Sequence, residues 1–236
     1  MHRSGTSCLA GSLDRCGLHL GEVIRQSKFN AKGNHELREA MDLHNQILKA
    51  SGGAWDEPPA RISLDRRQRQ GLDALARALC QRRPCGLKDP RLLLLLEEWL
   101  PVVEPIAGGY TMVGTYRHPV ATADSLARRN QFPLEKSLRL WCQYNERLVV
   151  WHRRCGFPLL EFDLALAEPY LRAVVQVAGQ LGLEPDLDRL TEFVTAELDH
   201  RPTELGEVPP VCRPIFDYLH QHRLRPDGRP NQGTNT

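Results

Sequence analysis

Strand-forming and helix-forming segments alternate along this chain, and the alternation limits the folds that it can adopt. Two short segments rich in β-forming residues, 110–116 and 158–162, are separated by segments whose apolar residues recur at helical spacing. Parallel strands need such a crossover, whereas antiparallel strands can be joined by a tight turn. We therefore predict an α/β fold of three layers, a P-loop-type domain with a central parallel sheet flanked by helices. A further short strand is predicted at 85–87.

Several segments are predicted to be helical from the spacing of their apolar residues. They are 7–16, 36–50, 72–79, 91–100, 119–129, 134–154 and 167–181. The segments 21–35 and 51–65, which contain glycine or proline among polar residues, predict loops. We expect one domain over residues 1–222 and a disordered tail over 223–236, because the tail is rich in proline, glycine and asparagine.

The composition argues against several classes of protein. Lysine and arginine (31) nearly balance aspartate and glutamate (29), and this net charge of +2 is not typical of a nucleic-acid-binding protein. No apolar run approaches the roughly 18 residues of a membrane-spanning helix, and no apolar signal-peptide core follows Met1, so we expect a cytoplasmic protein. The seven cysteines include no C-x-x-C pair, which favours reduced thiols and no zinc site.

The chain begins with a segment typical of an anion-binding turn before a helix, His2-Arg3-Ser4-Gly5-Thr6-Ser7. Such a turn aims backbone N–H groups at one point, and the helix dipole adds positive character there. Gly5 would let the backbone approach a phosphate, Thr6 and Ser7 would add hydroxyl donors, and Arg3 would add a fixed charge. The other interpretation is a helix capped by Ser4 or Thr6. In α/β folds a strand precedes such a turn, so we expect the first strand of the sheet to be missing from this chain.

A second candidate anion site follows the strand predicted at 110–116. Arg117 would lie at the carboxyl end of that strand, where ligands of parallel sheets bind, and Pro119 suits the first turn of the next helix. Ser125 falls in the second turn of this helix, so its hydroxyl could reach the same anion as Arg117. The other interpretation is a surface arginine and an ordinary helix serine.

Together the two motifs resemble the donor-binding elements of sulfotransferases that use 3′-phosphoadenosine-5′-phosphosulfate (PAPS), in particular a bacterial sulfotransferase family. The first is similar to the 5′-phosphosulfate loop of that superfamily, and the second to its 3′-phosphate element. Other segments resemble the bacterial family in the same order along the chain. They are Asn30-Ala31-Lys32-Gly33-Asn34-His35-Glu36-Leu37-Arg38-Glu39, Trp55-Asp56-Glu57-Pro58, Leu87-Lys88-Asp89-Pro90-Arg91 and Glu161-Phe162-Asp163-Leu164.

The resemblance implies a role for each of these elements. The loop of Arg3, Ser4, Gly5, Thr6 and Ser7 would bind the 5′-phosphosulfate, and Arg3 would stabilise the charge that develops on the transferred sulfuryl group. Lys88 is similar to a lysine that contacts that group in protein-tyrosine sulfotransferases, although a surface lysine before a turn is the alternative. Arg117 and Ser125 would hold the 3′-phosphate. The resemblance therefore implies PAPS as the donor. The superfamily generally works without a metal, so no metal is expected.

The base that takes the proton of the acceptor has three candidates. Glu36 comes first, since it lies in the segment that resembles the bacterial family, although it could be an ordinary acid at a helix start. Glu22 comes second, because its spacing from Arg3 is close to that of the glutamate base in protein-tyrosine sulfotransferases. His35 comes third.

Two other functions stay open at this stage. A small-molecule P-loop kinase would need a Walker A lysine, and no lysine follows Gly5. An inactive, truncated relative could keep the fold and act as a binding protein. For an active enzyme, the acceptor is expected to be a small molecule or a carbohydrate hydroxyl, and not a nucleic acid.

Overall fold

A computed structural model describes residues 1–26, 33–163, 167–198 and 205–225. Four of the segments interpreted above fall partly outside these ranges. They are residues 27–32 of the predicted loop 21–35, the Asn30–Lys32 portion of the family-like segment, Leu164 and the predicted tail from residue 226 onward.

The described residues form helices and a small parallel sheet. In chain order the elements are α1 (Thr6–Arg15), α2 (Arg38–Ala50), α3 (Arg66–Cys80), α4 (Leu92–Ala107), β1 (Gly114–Tyr116), α5 (Pro119–Asn130), α6 (Leu134–Cys155), β2 (Leu159–Glu161), α7 (Ala167–Gln180), α8 (Leu187–Leu198) and α9 (Arg213–Gln221). The chain is therefore of the mixed α/β class, as predicted.

The chain divides into two compact units. The first unit combines Met1–Cys16 with the chain from Met112 onward, and the second unit is Gly17–Thr111. The N-terminal turn thus belongs to the same unit as both strands, although about a hundred residues of the second unit lie between them in sequence. The single domain predicted over 1–222 stays a prediction.

In the first unit, β1 and β2 pair in parallel, with Gly114 opposite Leu159 and Tyr116 opposite Glu161. The crossover between them contains α5 and α6, so the predicted parallel pairing is confirmed. The strand predicted at 110–116 begins only at Gly114. The Gly114 N–H donates to Pro158 O over 2.8 Å, and Pro158 has no N–H with which to extend the ladder toward residue 112.

In the second unit, α2, α3 and α4 pack around an apolar core. Its fully or almost fully buried members come from all three helices and are Ile47, Leu48, Leu72, Ala76, Leu95 and Trp99. The strand predicted at 85–87 is wrong. In the described part of the chain this segment has a single bridge, between His19 and Cys85. Because one residue pair is too short to form a ladder, this segment is a loop that carries Lys88.

The predicted helices are present, with some differences at their ends. The helix predicted at 91–100 continues as α4 to Ala107, through Pro101 and Pro105. Helices α8 and α9 were not predicted from the sequence. No helix in the described part of the chain combines the length and the apolar character that crossing a membrane would require.

Candidate functional site

The N-terminal turn of the first unit leads directly into α1. Gly5 is the N-cap of this helix, with a φ of 79° in the left-handed region, and the cap has no side-chain hydrogen bond among the described residues. A helix capped by Ser4 or Thr6 is therefore the wrong interpretation. The first intrahelical bond runs from the Leu9 N–H to Gly5 O over 3.0 Å. The amides of the first turn precede it, where a helix end favours an anion.

Two contacts hold this turn at the strand pair. The Thr115 hydroxyl in β1 donates to Ser4 O over 3.0 Å. The Phe162 ring, directly after β2, packs on Gly5 so closely that a Cβ at position 5 would lie 2.2 Å from its Cγ. Parallel strands end at the same edge of a sheet, and these contacts lie at the carboxyl ends of β1 and β2. The lack of a side chain at Gly5 therefore makes room for Phe162.

A direct hydrogen bond joins the two sequence motifs of the first unit. Arg3 Nε donates to Ser125 Oγ over 2.7 Å, across 122 residues of sequence. Ser125 lies in the second turn of α5, as predicted, and is buried. Arg3 itself has a φ of 63°, a conformation that is uncommon for a residue with a side chain. The fold thus brings together two segments that the sequence predicted to bind one ligand.

Arg117 directly follows β1, as predicted, and is buried with an exposed fraction of 7%. Its backbone carbonyl accepts from Trp141 Nε1 over 2.9 Å, and its guanidinium lies 5.6 Å from the centre of the Phe162 ring. Because Arg117 is buried, it is not a surface arginine. Its guanidinium has no hydrogen bond or ion pair with any described residue. A buried, unpaired guanidinium is a natural binding partner for an anion.

The charges around Arg117 also favour a bound anion. The pKa of Arg117 is lowered to about 10, mainly by burial and in addition by the nearby charges of Arg3 and Arg128. Asp163 and Asp124 act in the opposite direction. Three guanidinium groups that repel one another in a partly buried place are stabilised when a ligand brings negative charge.

Hydroxyl groups accompany this positive charge. Ser4 is fully buried, and its Oγ has no hydrogen-bond partner in the part of the chain that the structure describes. Thr6 and Ser7 are half-buried in the first turn of α1. The predicted donor loop therefore offers hydroxyl oxygens and amide groups beside the arginines.

A second cluster of candidate residues lies in the second unit. Lys88 Nζ donates to Glu36 Oε1 and to Asn34 O, each over 2.7 Å. Arg91 Nη2 donates to the other oxygen, Glu36 Oε2, over 3.1 Å. The Lys88 and Glu36 side chains have exposed fractions of only 10% and 7%, so Lys88 is not a surface lysine. Two residues that the sequence predicted to be catalytic thus form one ion pair.

The cluster continues from Arg91 into the core of the second unit. Arg91 Nε donates to Asp89 Oδ1 over 2.9 Å, and His44 Nδ1 lies 2.9 Å from Asp89 Oδ2. Trp99 Nε1 donates to His44 Nε2 over 2.8 Å. Burial by itself raises the pKa of Asp89, but the contacts with His44 and Arg91 outweigh it and hold this pKa below its ordinary value. Burial lowers the pKa of Lys88, and the Glu36 carboxylate opposes that change.

The other two candidate bases lie on the segment before Glu36. Glu22 is exposed and lies next to Val23, which forms a bridge with Leu37. No hydrogen bond or ion pair within the described ranges joins Glu22 to Lys88. His35 is buried, with a φ of 52°, and its backbone N–H donates to Ile24 O over 3.1 Å. The assignment of the base stays a prediction.

Sequence reasoning gave no role to several residues that these clusters contain. They are His44, Asp89, Arg91, Trp99 and Phe162. The pattern Lys88-Asp89-Pro90-Arg91 carried a signal, since it places three charges within four residues. The partners His44 and Trp99 carried none, because a histidine and a tryptophan on amphipathic helices are usual core residues.

The described residues contain no group of three or more histidine, cysteine, aspartate or glutamate side chains that could hold a metal ion. In comparisons with known proteins, no family model, no curated protein and no solved structure matches the chain.

The contact between Gly5 and Phe162 predicts that Gly5→Ala is more destabilising than an ordinary substitution of a left-handed glycine. Gly156 is a matched control in the same unit, because its φ is 63° and nothing lies within 4 Å of an added Cβ. Both changes carry the left-handed penalty of about 1–2 kcal/mol, and Gly5→Ala should cost about 1–3 kcal/mol more from overpacking. Urea unfolding measures the two free energies, and equal losses would show that Phe162 does not hold the turn.

Proposed function

We propose that the chain is a PAPS-dependent sulfotransferase, which transfers a sulfuryl group from PAPS to an acceptor hydroxyl. The observation that carries this proposal is the hydrogen bond from Arg3 Nε to Ser125 Oγ. It joins the two segments that resemble donor-binding elements, and the buried, unpaired guanidinium of Arg117 belongs to one of them. The finer fold that we propose is the three-layer P-loop-type domain, to which a parallel pair with an anion-binding turn at its carboxyl edge is suited.

In this proposal the two ends of the donor nucleotide have separate partners in the first unit. The turn from Arg3 to Ser7 binds the 5′-phosphosulfate through amides, hydroxyls and one guanidinium. Arg117 and Ser125 bind the 3′-phosphate. The 3′-phosphate is the group that distinguishes PAPS from ATP-like nucleotides, so Arg117 supplies the specificity for the donor. Its buried charge supports this role, because a dianionic phosphate would compensate it.

The reaction is an in-line displacement at sulfur. The bond between sulfur and the bridging 5′-phosphate oxygen breaks while a bond to the acceptor oxygen forms, and 3′-phosphoadenosine-5′-phosphate (PAP) leaves with the bridging oxygen. The acceptor hydroxyl loses its proton to a base. Such transfers depend on positioning and on stabilisation of the charge on the leaving and transferred oxygens. Arg3 is proposed to stabilise that charge.

Lys88 and Glu36 are proposed to serve the chemical step. Lys88 would contact the sulfuryl group, and Glu36 would receive the acceptor proton. Their ion pair supports a joint role, since the ammonium keeps the carboxylate charged and oriented, and the carboxylate holds the ammonium. A carbohydrate hydroxyl is the acceptor that we propose. Release of PAP from labelled PAPS tests the function, with a panel of sugars, tyrosine peptides, lipids and phenols as acceptors.

Arg117→Ala is expected to weaken the binding of PAP about tenfold or more, because a charge-assisted contact contributes about 1.5–3 kcal/mol. Adenosine 5′-monophosphate, which lacks the 3′-phosphate, should bind the variant as it binds the unchanged protein. Arg139→Ala is the matched control, since Arg139 is exposed on α6 and has no polar contact with the described residues. Calorimetric titration measures all the affinities. A variant that binds PAP normally, or that loses both nucleotides equally, would remove Arg117 from the 3′-phosphate site.

Lys88→Ala is expected to lower turnover about 10²–10³-fold, as the loss of a charge-stabilising donor does. Its affinity for PAP should hardly change, because PAP lacks the transferred group. Glu36→Gln should lower turnover by about 10²–10⁴-fold, because it removes a positioned base. Glu22→Gln, at an exposed position, should have a smaller effect.

The same assays decide between these roles. Equal losses of turnover and PAP affinity in Lys88→Ala would mean that Lys88 does not act on the transferred group. If Glu36→Gln keeps most of the activity while Glu22→Gln or His35→Ala abolishes it, then Glu36 is not the base.

A further inference from the structure

Buried polar contacts follow one another without a gap from Trp99 to Lys88 in the second unit. The contact distances are 2.8 Å from Trp99 Nε1 to His44 Nε2, 2.9 Å from His44 Nδ1 to Asp89 Oδ2, 2.9 Å from Arg91 Nε to Asp89 Oδ1, 3.1 Å from Arg91 Nη2 to Glu36 Oε2 and 2.7 Å from Lys88 Nζ to Glu36 Oε1. The resemblance to sulfotransferases gave no role to Trp99, His44, Asp89 or Arg91. We refer to the six residues as the buried chain.

The first contact fixes the direction of the second. An indole N–H can only donate, so His44 Nε2 must be the acceptor. The proton of the imidazole then lies on Nδ1, where it is donated to Asp89 Oδ2. The other carboxylate oxygen, Oδ1, accepts from both the backbone N–H and Nε of Arg91. Arg91 Nε also donates to Oδ2 over 3.1 Å, so hydrogen bonds hold both oxygens of Asp89.

The charges of the buried chain balance. Arg91 and Lys88 bring two positive charges, the carboxylates of Asp89 and Glu36 bring two negative charges, and the singly protonated imidazole of His44 adds none. Arg91 is the link, since it donates to both carboxylates. A buried ion pair is weak evidence of stabilisation, because the loss of hydration offsets the attraction. The retention of four such charges points to a role in orientation.

One end of the buried chain is anchored by packing. Trp99 belongs to the apolar core of the second unit, with Ile47, Leu72 and Leu95. Its ring also makes an edge contact with the His44 ring, at 5.7 Å between ring centres and 88° between planes. The indole N–H is therefore a fixed point, and each later group is held relative to it.

We propose that Trp99, His44, Asp89 and Arg91 are positioning residues, which hold Glu36 and, through it, the ammonium group of Lys88 in the orientation that sulfuryl transfer needs. This inference rests on the proposed function of Lys88 and Glu36. The four positioning residues then affect the rate of sulfuryl transfer without touching the substrate. A small displacement of Lys88 or Glu36 would be enough to slow the reaction, since a misplacement of about 1 Å can lower a rate about 10²-fold.

The test uses two substitutions of His44 in the full chain. The amide nitrogen of His44→Asn can take the place of Nδ1 as a donor to Asp89, whereas His44→Gln places its amide near Nε2 and leaves Asp89 without that donor. We expect His44→Gln to lower the rate of PAP release from PAPS about tenfold or more, with unchanged affinity for PAP. His44→Asn should recover most of the rate. The assay uses the best acceptor of the panel, or water where none accepts.

The indole is tested by Trp99→Phe, which removes the N–H and keeps an aromatic ring. The matched control is Trp151→Phe, because Trp151 is also buried and its N–H has no partner in the described parts of the chain. Trp99→Phe should lower the rate of PAP release about tenfold, and Trp151→Phe should leave it unchanged. Thermal unfolding verifies that each variant is folded at the assay temperature.

A spectroscopic measurement tests the buried chain without any activity. The ¹⁵N resonances of the His44 ring, assigned with His44→Gln, should show an unprotonated Nε2 and a protonated Nδ1, and Trp99→Phe should shift the Nε2 resonance. A proton on Nε2 in the unchanged protein would overturn the inference. So would equal rates in His44→Asn and His44→Gln, or a loss of PAP affinity that matches the loss of rate. If the unchanged protein binds no PAP, the proposed function fails, while the ring resonances still decide the direction of the buried chain.

Discussion

The buried guanidinium of Arg117 is the constraint on which the organisation of the first unit depends. A charge in that position is costly unless something compensates it, and the described part of the chain supplies no ion pair. The surrounding elements concentrate positive charge further, because β1 and α5 position Arg117 while the N-terminal turn positions Arg3. The turn is held by Thr115 and by the ring of Phe162. Together these contacts support the proposal of an anion site at the carboxyl edge of the parallel strand pair.

The second unit handles charge in the opposite way. Its buried cations and carboxylates are paired in equal number, and their contacts run into the apolar core at Trp99. Because these charges are paired with one another, the network is balanced without an external ligand. In the proposed function, the first unit binds the charged donor, and the buried contacts of the second unit orient Lys88 and Glu36.

Local signals made part of this structure predictable from sequence. The β-forming residues before Arg117 and the proline after it predicted a strand, an arginine at its carboxyl end and a helix, and the structure has all three. Helix α8 also had a signal, because Leu190, Phe193 and Val194 follow helical spacing. Helix α9 gave a weaker signal, because Pro209, Pro210 and Pro214 lie at its start, and a proline is compatible with a helix only in the first turn, where Pro214 lies.

Contacts between distant segments could not be predicted in this way. The need for glycine at position 5 comes from Phe162, and no local pattern relates these two residues. Arg91 was visible as part of a charged segment, but its bond to Glu36 Oε2 depends on how the loop before α4 meets the start of α2. The tautomer of His44 likewise depends on an indole 55 residues further along the chain. Side-chain partners of this kind follow from tertiary packing and not from spacing.

The central claim is that the first unit selects a nucleotide by its 3′-phosphate. Thermal unfolding of the full chain with PAP, and separately with ATP and Mg²⁺, tests it most directly, because a ligand that binds the folded state raises the unfolding temperature. The proposed function predicts a clear increase with PAP and little or none with ATP and Mg²⁺ at the same concentration. A larger increase with ATP and Mg²⁺ would contradict the claim and favour a kinase, and no increase with either nucleotide would contradict a donor site in this chain.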